Sequence, residues 1–260
     1  MLDLRKFQKS VDKNADAVLN NANNFLIFVI VAILSTLLFF KQTMDNYAAT
    51  LILLVLWRYF WRRSTLKGKV FLSVASVVGF VHEIIGVYFG WFTYIGGFIY
   101  GVPLWILPGY GAIFWASYNF WSVFEKSYAE RQWFSNMDKV AAATFIALLA
   151  IDYIFLDLSQ AFVFTLLKIG FSFLLFRSAR GMRLAFFVGL FTVFDEVAGE
   201  IIGVWVHPTF SLLSLMAGYI FLLWVCLTIT EMIKGTKKWR LMELASAVFL
   251  FIMMVFNLAA

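Results

Sequence analysis

The sequence predicts an all-α integral membrane protein of eight to nine transmembrane helices, built as a parallel internal repeat of four plus four helices with a ninth helix after it. Three observations lead there. The first is composition: 63% of the 260 residues are hydrophobic and 14% are charged, with a mean hydropathy of +0.86, more apolar surface than one water-soluble core of this length can enclose. The second is a series of apolar segments, at about 25-40, 47-61, 70-92, 100-124, 140-156, 159-176, 184-206, 208-231 and 241-258, to be judged against the roughly 17–25 residues that a helical span needs. The third is an exact duplication. Glu-Ile-Ile-Gly-Val occurs at Glu83 to Val87 and again 117 residues on, at Glu200 to Val204.

Residues 1-24 precede the first apolar segment. Leu4, Phe7, Val11 and Val18 recur there at helical spacing among Arg5, Lys6, Lys9 and Lys13, a pattern that suits an amphipathic helix lying on an anionic leaflet; a solvated terminus fits nearly as well. The first apolar run ends at Lys41 rather than at small residues, so no cleavable signal peptide is expected. The first repeat is expected over 25-130, the second over 140-233, and the additional helix over 241-258.

The loops alternate in charge. Arg62, Arg63, Lys67 and Lys69, then Lys126, Arg131 and Lys139, then Arg177, Arg180 and Arg183, then Lys234, Lys237, Lys238 and Arg240 all fall on one side of a nine-span arrangement, whereas the other side has little basic charge beyond Lys41. The excess of Lys and Arg in cytoplasmic loops then puts the N-terminus inside and the C-terminus outside a cytoplasmic membrane. The same placement explains the net charge of +6 without nucleic acid, which is not an expected partner. Four spans per half give both halves the same orientation, so the repeat is parallel. Gly86 and Gly90 in the first half, and Gly199 and Gly203 in the second, are four apart and open one helix face to close packing.

The ionisable residues expected at membrane depth are His82, Glu83, Asp152, Lys168, Asp195, Glu196, Glu200 and His207; charge at this depth is costly and is retained for a purpose. Glu83 and Glu200, as the duplicated pair, lead the catalytic candidates, with Glu196, His82 and Asp195 beside them. Glu196 and Glu200 lie one turn apart on one helix face, and two such carboxylates in a low dielectric cannot both ionise cheaply. A carboxylic acid kept protonated in an apolar pocket is a usable general acid. Lys168 shares the depth of Asp195, and a buried ion pair between them is expected to join two spans. No metal is expected. The weaker alternative is a cluster of Glu83, Glu196, Glu200 and His207, which would have to converge from different helices. The sequence has no Gly-rich phosphate loop and no His-Glu-x-x-His, and no cofactor is expected. The single Cys226 is expected to be buried and inert.

Between the third and fourth segments, Trp91, Tyr94, Tyr100, Trp105 and Tyr110 interleave with glycines and Pro103. They read either as an interfacial aromatic belt or as the lining and lid of a substrate cavity holding Glu83. Here Glu83-Ile-Ile-Gly-Val-x-x-Gly90, followed by Tyr94 or Tyr100 and then Gly101-Val-Pro103-Leu104, resembles the motif of membrane-bound carotenoid hydratases of the bisanhydrobacterioruberin type, which are related in style to small integral-membrane lycopene cyclases. The Pro-x-Glu-Glu string of those cyclases is absent, and the resemblance covers residues 83-104 only. It implies a cofactor-independent multi-helix enzyme, a lyase or isomerase of carotenoid biosynthesis that protonates a polyene, with Glu83 as general acid.

The residues themselves leave three functions open. One is an enzyme on a hydrophobic isoprenoid or carotenoid-like substrate, in which buried carboxylates act as general acid and base for hydration or cyclisation and aromatic rings shelter a carbocation. The second is a proton- or cation-coupled transporter or channel. The third is a structural or assembly subunit of a membrane complex. The expected partners are the lipid bilayer and a hydrophobic small-molecule substrate.

Overall fold

A computed structural model describes the backbone of residues 4–128, 136–155, 162–176, 178–208 and 211–235 and of residues 245, 247 and 248, and side chains from residue 23 onward, except at 126–128, 155 and 162–164. The architecture is all-α. In chain order the helices are α1 (Leu4–Thr43), α2 (Asn46–Arg63), α3 (Leu66–Tyr88), α4 (Ile106–Tyr128), α5 (Met137–Phe155), α6 (Phe162–Leu174), α7 (Ala179–Ile202) and α8 (Leu212–Ile233). Two short strands, β1 (Thr93–Tyr94) and β2 (Trp205–Val206), follow α3 and α7 and pair antiparallel, Thr93 opposite Val206 and Tyr94 opposite Trp205. The amphipathic face expected over 1-24 and the ninth helix over 241-258 lie outside the described residues.

Asn23–Thr43 within α1, α3 and α8 are each long and apolar enough to cross a bilayer. α7 has the length but carries Arg180, Arg183, Asp195, Glu196 and Glu200. Polarity is distributed as in a protein solvated by lipid. Val31, Val55, Val77, Leu174 and Phe194 are each more than half exposed, while Thr36, Ser76, Glu83, Lys168, Ser172 and Thr192 are buried, the arrangement that an apolar solvent enforces on polar side chains. Cys226 is among the fully buried residues.

The core is assembled around α4 and α8. α3 packs on both of them, α7 packs on both, and α1 and α2 flank α4. Helix ends are tied by side chains. Asp45 caps α2 through the Tyr47 and Ala48 amides, both at 3.0 Å. The Asp152 carboxylate accepts from the Ser211 hydroxyl at 3.0 Å and from the Leu212 and Leu213 amides at 2.8 and 2.9 Å, so this buried acid holds the first turn of α8 against α5, where orphan amides seek an anion. Lys41 Nζ donates to the Gly203 carbonyl at 2.8 Å and closes the opposite kind of end. On the basic side, Arg183 clasps Asp138 with two hydrogen bonds of 2.7 and 2.9 Å, which keeps the Asp138 carboxyl below its ordinary range.

α3 with its following turn and α7 with its following turn correspond residue for residue at an offset of 113, the distance from Glu83 to Glu196. Thr65 caps α3 through the Gly68 amide and Ser178 caps α7 through the Gly181 amide. Each helix then ends on a glycine in the left-handed region, Gly90 at φ +74° and Gly203 at φ +75°. At these ends the Trp91 amide bonds Gly86 O and the Val204 amide bonds Gly199 O, both at 2.9 Å, the closure that only a left-handed residue permits cheaply. The repeated pentapeptide, at an offset of 117, is therefore one helical turn out of structural register. Glu83 corresponds to Glu196, and Glu200 to Val87.

Candidate functional site

Seven polar side chains join in one chain inside the bundle. Glu83, near the end of α3, is 2% exposed. Its carboxylate accepts from Tyr94 of β1 at 2.5 Å and from the hydroxyl of Tyr110 on α4. Tyr110 and Tyr219 of α8 then face each other across the middle, their hydroxyls 3.1 Å apart and their rings stacked at 6.2 Å between centroids. Tyr219 donates to Glu196 of α7. His207, just past β2, brings Nε2 to 3.8 Å from Glu196 and Nδ1 to 2.9 Å from Glu200. The Glu200 carboxylate also accepts from the His207 amide at 3.3 Å, and at 29% side-chain exposure it is the open end of the series.

Small residues make the approach possible. A β-carbon at Gly79 would fall inside the ring of Tyr110, which lies directly on the α3 backbone. Gly86 and Gly199 are covered in the same way by Phe92 and Trp205, and these ring–glycine pairs obey the 113-residue correspondence, within which Tyr94 answers to His207. The two tyrosines repeat as well. Gly109-Tyr110 with Trp115, and Gly218-Tyr219 with Trp224, have the same spacing at an offset of 109.

Beside the chain lies a narrow cleft. α1 contributes Ile33, Thr36 and Leu37, α4 contributes Ile106, Tyr110, Ile113 and Phe114, and α7 contributes Thr192, Asp195 and Glu196. Tyr94, Trp105, Trp205 and Tyr219 complete the wall. A carboxylic acid among phenols, next to an aromatic-walled apolar space, can deliver a proton to a bound hydrocarbon and take one back.

Several sequence-derived candidates fall elsewhere. Glu83 and Glu196 are the buried pair, and Glu200 is the peripheral member rather than the partner of Glu83. His82 sits behind Glu83, with Nδ1 at 3.5 Å from its carboxylate and its ring edge against Trp91; it does not line the cleft. Of the five aromatic residues expected to line a substrate cavity, Tyr94, Trp105 and Tyr110 line this cleft. Trp91 packs on His82 and Phe89 instead, and Tyr100 is 81% exposed, because the glycine-rich loop turns it outward. The Lys168–Asp195 ion pair is not formed. α6 packs mainly on α8 and meets α7 where Phe173 stacks on Phe186, so Lys168 donates to Ser214 at 3.2 Å, and no carboxylate pairs with it among the described residues. Among the described residues no group of three or more His, Cys, Asp and Glu side chains is placed to hold a metal ion; the tyrosine pair stands between Glu83 and the cluster of Glu196, Glu200 and His207. Tyr219 is the member that sequence reasoning missed, although the spacing Gly-Tyr-x-x-x-x-Trp in both halves is its signature.

Compared with protein-family models, with curated proteins and with solved structures, the chain matches none.

Proposed function

We propose that the protein is a membrane-embedded, cofactor-independent acid–base enzyme acting on a hydrophobic, unsaturated substrate of the isoprenoid or carotenoid kind. The observation that carries this reading is the buried sequence Glu83–Tyr110–Tyr219–Glu196 beside an aromatic-walled cleft. In the proposed reaction a carboxylic acid donates its proton to one carbon of a double bond, forming C–H and leaving a cation on the other carbon. Water adds to that cation and returns a proton to the carboxylate, so that the net change is addition of one water. Attack by an internal alkene followed by proton loss gives cyclisation from the same start. The rings of Trp105 and Trp205 offer the negative faces that shelter such a cation.

The placement of the chain favours an enzyme over a transporter. Glu83, Tyr110, Glu196 and Tyr219 all lie within seven residues of the helix ends that meet β1 and β2, about 10 Å at 1.5 Å per residue. A proton path confined to one side of a bundle can supply a reaction but cannot cross a membrane.

The architecture that goes with this reading has eight to nine spans, two parallel halves of four helices and a ninth helix, with the N-terminus in the cytoplasm and the C-terminus outside. Cysteines introduced at Ser64 and Lys237 in a Cys226→Ser background are then protected from an impermeant thiol reagent in intact cells; labelling of both refutes the orientation. The function is tested by extracting polyenes from cells that produce the protein in heavy-oxygen water and from cells that lack it. A hydrated or cyclised product in the first only, lost in Glu83→Gln and Glu196→Gln proteins that remain monodisperse in detergent, supports the proposal. Identical extracts, or undiminished product from both variants, refute it.

A further inference from the structure

The acids of the bundle divide sharply by whether anything holds them. Glu83, Glu196 and Glu200 accept from named phenol or imidazole donors, Asp152 caps a helix, and Glu125 is bound by Arg180 at 2.6 Å. Asp195 is the exception: no hydrogen bond or ion pair to it occurs among the described residues, although it sits in the middle of a helix that turns apolar side chains outward. Its side chain is only partly covered by the protein, so it is open to whatever fills the spaces beside it.

Its position is also singular. Asp195 lines the inner cleft together with Glu196 and Tyr219, and it lines a second, shallower groove outside, between α1 and α7, with Ile30, Leu34, Phe191 and Phe194. Ile33 is the other residue common to both. The outer groove and the inner cleft are therefore separated by one side chain and one carboxyl group. Phe194, in the wall of the outer groove, is 54% exposed, so the groove opens on the outside of the bundle, the face that lipid would cover.

We propose that the groove between α1 and α7 is a lateral doorway through which an elongated, neutral, unsaturated hydrocarbon passes from the bilayer to the cleft, and that Asp195 is the first polar group it meets. This rests on the reading of the protein as an enzyme for such substrates and adds to it a route and a residue. The occupant follows from the walls. A phospholipid headgroup has no cation or amide donor to meet there, and a fatty acid would bring a second carboxylate against Asp195. Phe191 and Phe194 outside, then Trp105 and Trp205 inside, present flat rings along the route to a flat conjugated chain.

The test uses the protein reconstituted in phosphatidylcholine vesicles and two carbodiimides, dicyclohexylcarbodiimide dissolved in the lipid and a water-soluble one. A carboxyl group adds across the C=N bond of either reagent with nothing leaving, and the modified residue is located by peptide mapping. Asp195 is expected to react from the lipid phase several-fold faster than Glu83 or Glu196 and to resist the water-soluble reagent. Ile30→Trp, which fills the outer groove, is expected to slow that labelling several-fold while Glu200 keeps its reaction with the water-soluble reagent. If Glu200 labelling is lost as well, the milder Leu34→Phe replaces it. Lycopene in the vesicles is expected to protect Asp195, whereas squalane and dodecylamine are not. The doorway is refuted if Asp195 is unreactive, reacts equally from water, or is indifferent to both groove variants; the occupant is refuted if only the amine protects. Labelling needs no turnover, so the doorway and the enzymatic reading can fail separately.

Discussion

Replacing Tyr219 by Phe removes one hydroxyl from the middle of the bundle, and the consequence can be worked from its neighbours. Glu196 loses the phenol that donates to it, and the nearest remaining group, His207 Nε2 at 3.8 Å, is beyond hydrogen-bond range. A buried acceptor left in this state costs about 1–3 kcal/mol. Tyr110→Phe is gentler, since Glu83 keeps Tyr94 at 2.5 Å and loses only one of two donors, for about 1 kcal/mol. Each single change also deletes the 3.1 Å contact between the two hydroxyls. Adding the two single costs counts that contact twice, so the double variant is expected to be more stable than the sum by roughly 0.5–1.5 kcal/mol. The assay is equilibrium unfolding in mixed micelles titrated with dodecyl sulfate and followed by tryptophan fluorescence. Additivity within about 0.5 kcal/mol, or a larger loss for Tyr110→Phe than for Tyr219→Phe, would refute the hydrogen-bonded chain.

Two further outcomes follow from single positions. Asp152→Ala leaves the Leu212 and Leu213 amides without their acceptor and is expected to cost about 1–3 kcal/mol, with Asp152→Asn intermediate because it retains one oxygen; equal melting of all three proteins in detergent would show that the cap is idle. Gly199→Ala drives a methyl group into the Trp205 indole and is expected to cost about 1–3 kcal/mol by overpacking, whereas Gly170→Ala meets no atom within 4 Å and is expected to be neutral or stabilising by up to about 1 kcal/mol, as read from melting temperatures.

Much of this arrangement was legible in the residues, and the failures have identifiable causes. Every apolar segment that falls on described residues contains a helix, because hydropathy and length constrain a lipid-solvated chain strongly. Glu83 was found from the rarity of carboxylates in such segments. The pairing of Glu83 with Glu200 went wrong because an identical string outweighed the spacing of single residues. Glu-x-x-Gly-x-x-x-Gly, read as Glu83, Gly86, Gly90 and as Glu196, Gly199, Gly203, marks the true register, since the turn glycines and the ring-covered glycines fix the backbone. Depth alone matches Lys168 with Asp195. Depth along a helix is countable, but which neighbour a helix faces is set by packing that no local pattern records, and α6 faces α8. Tyr100 shows the same limit in a loop, where composition reveals aromatic content but not direction.

The register also isolates what differs between two otherwise matching ends. Tyr94 becomes His207, and Val87 becomes Glu200. Both changes extend the second half's carboxylate outward: Glu196 reaches His207, His207 reaches Glu200 at 2.9 Å, and Glu200 is the exposed terminus. In the first half Glu83 ends instead at Tyr94 and at His82, whose imidazole Nδ1 has no hydrogen-bond partner. On the proposed reading no net proton is consumed, and the second half is the route by which the carboxylates of the cleft exchange protons with solvent between turnovers. Glu200→Val, which gives α7 the residue that α3 has at this place, is then expected to slow turnover while leaving unfolding in dodecyl sulfate nearly unchanged, because the side chain lies at the edge of the bundle. Small acids such as acetic acid or imidazolium, added on the side where Glu200 emerges, should restore the rate in a concentration-dependent way, while Val87→Glu should have no comparable effect on the wild-type background. A Glu200→Val protein with full activity would remove Glu200 from the path. A slow variant that no added acid rescues would show that the residue positions His207 instead of conducting.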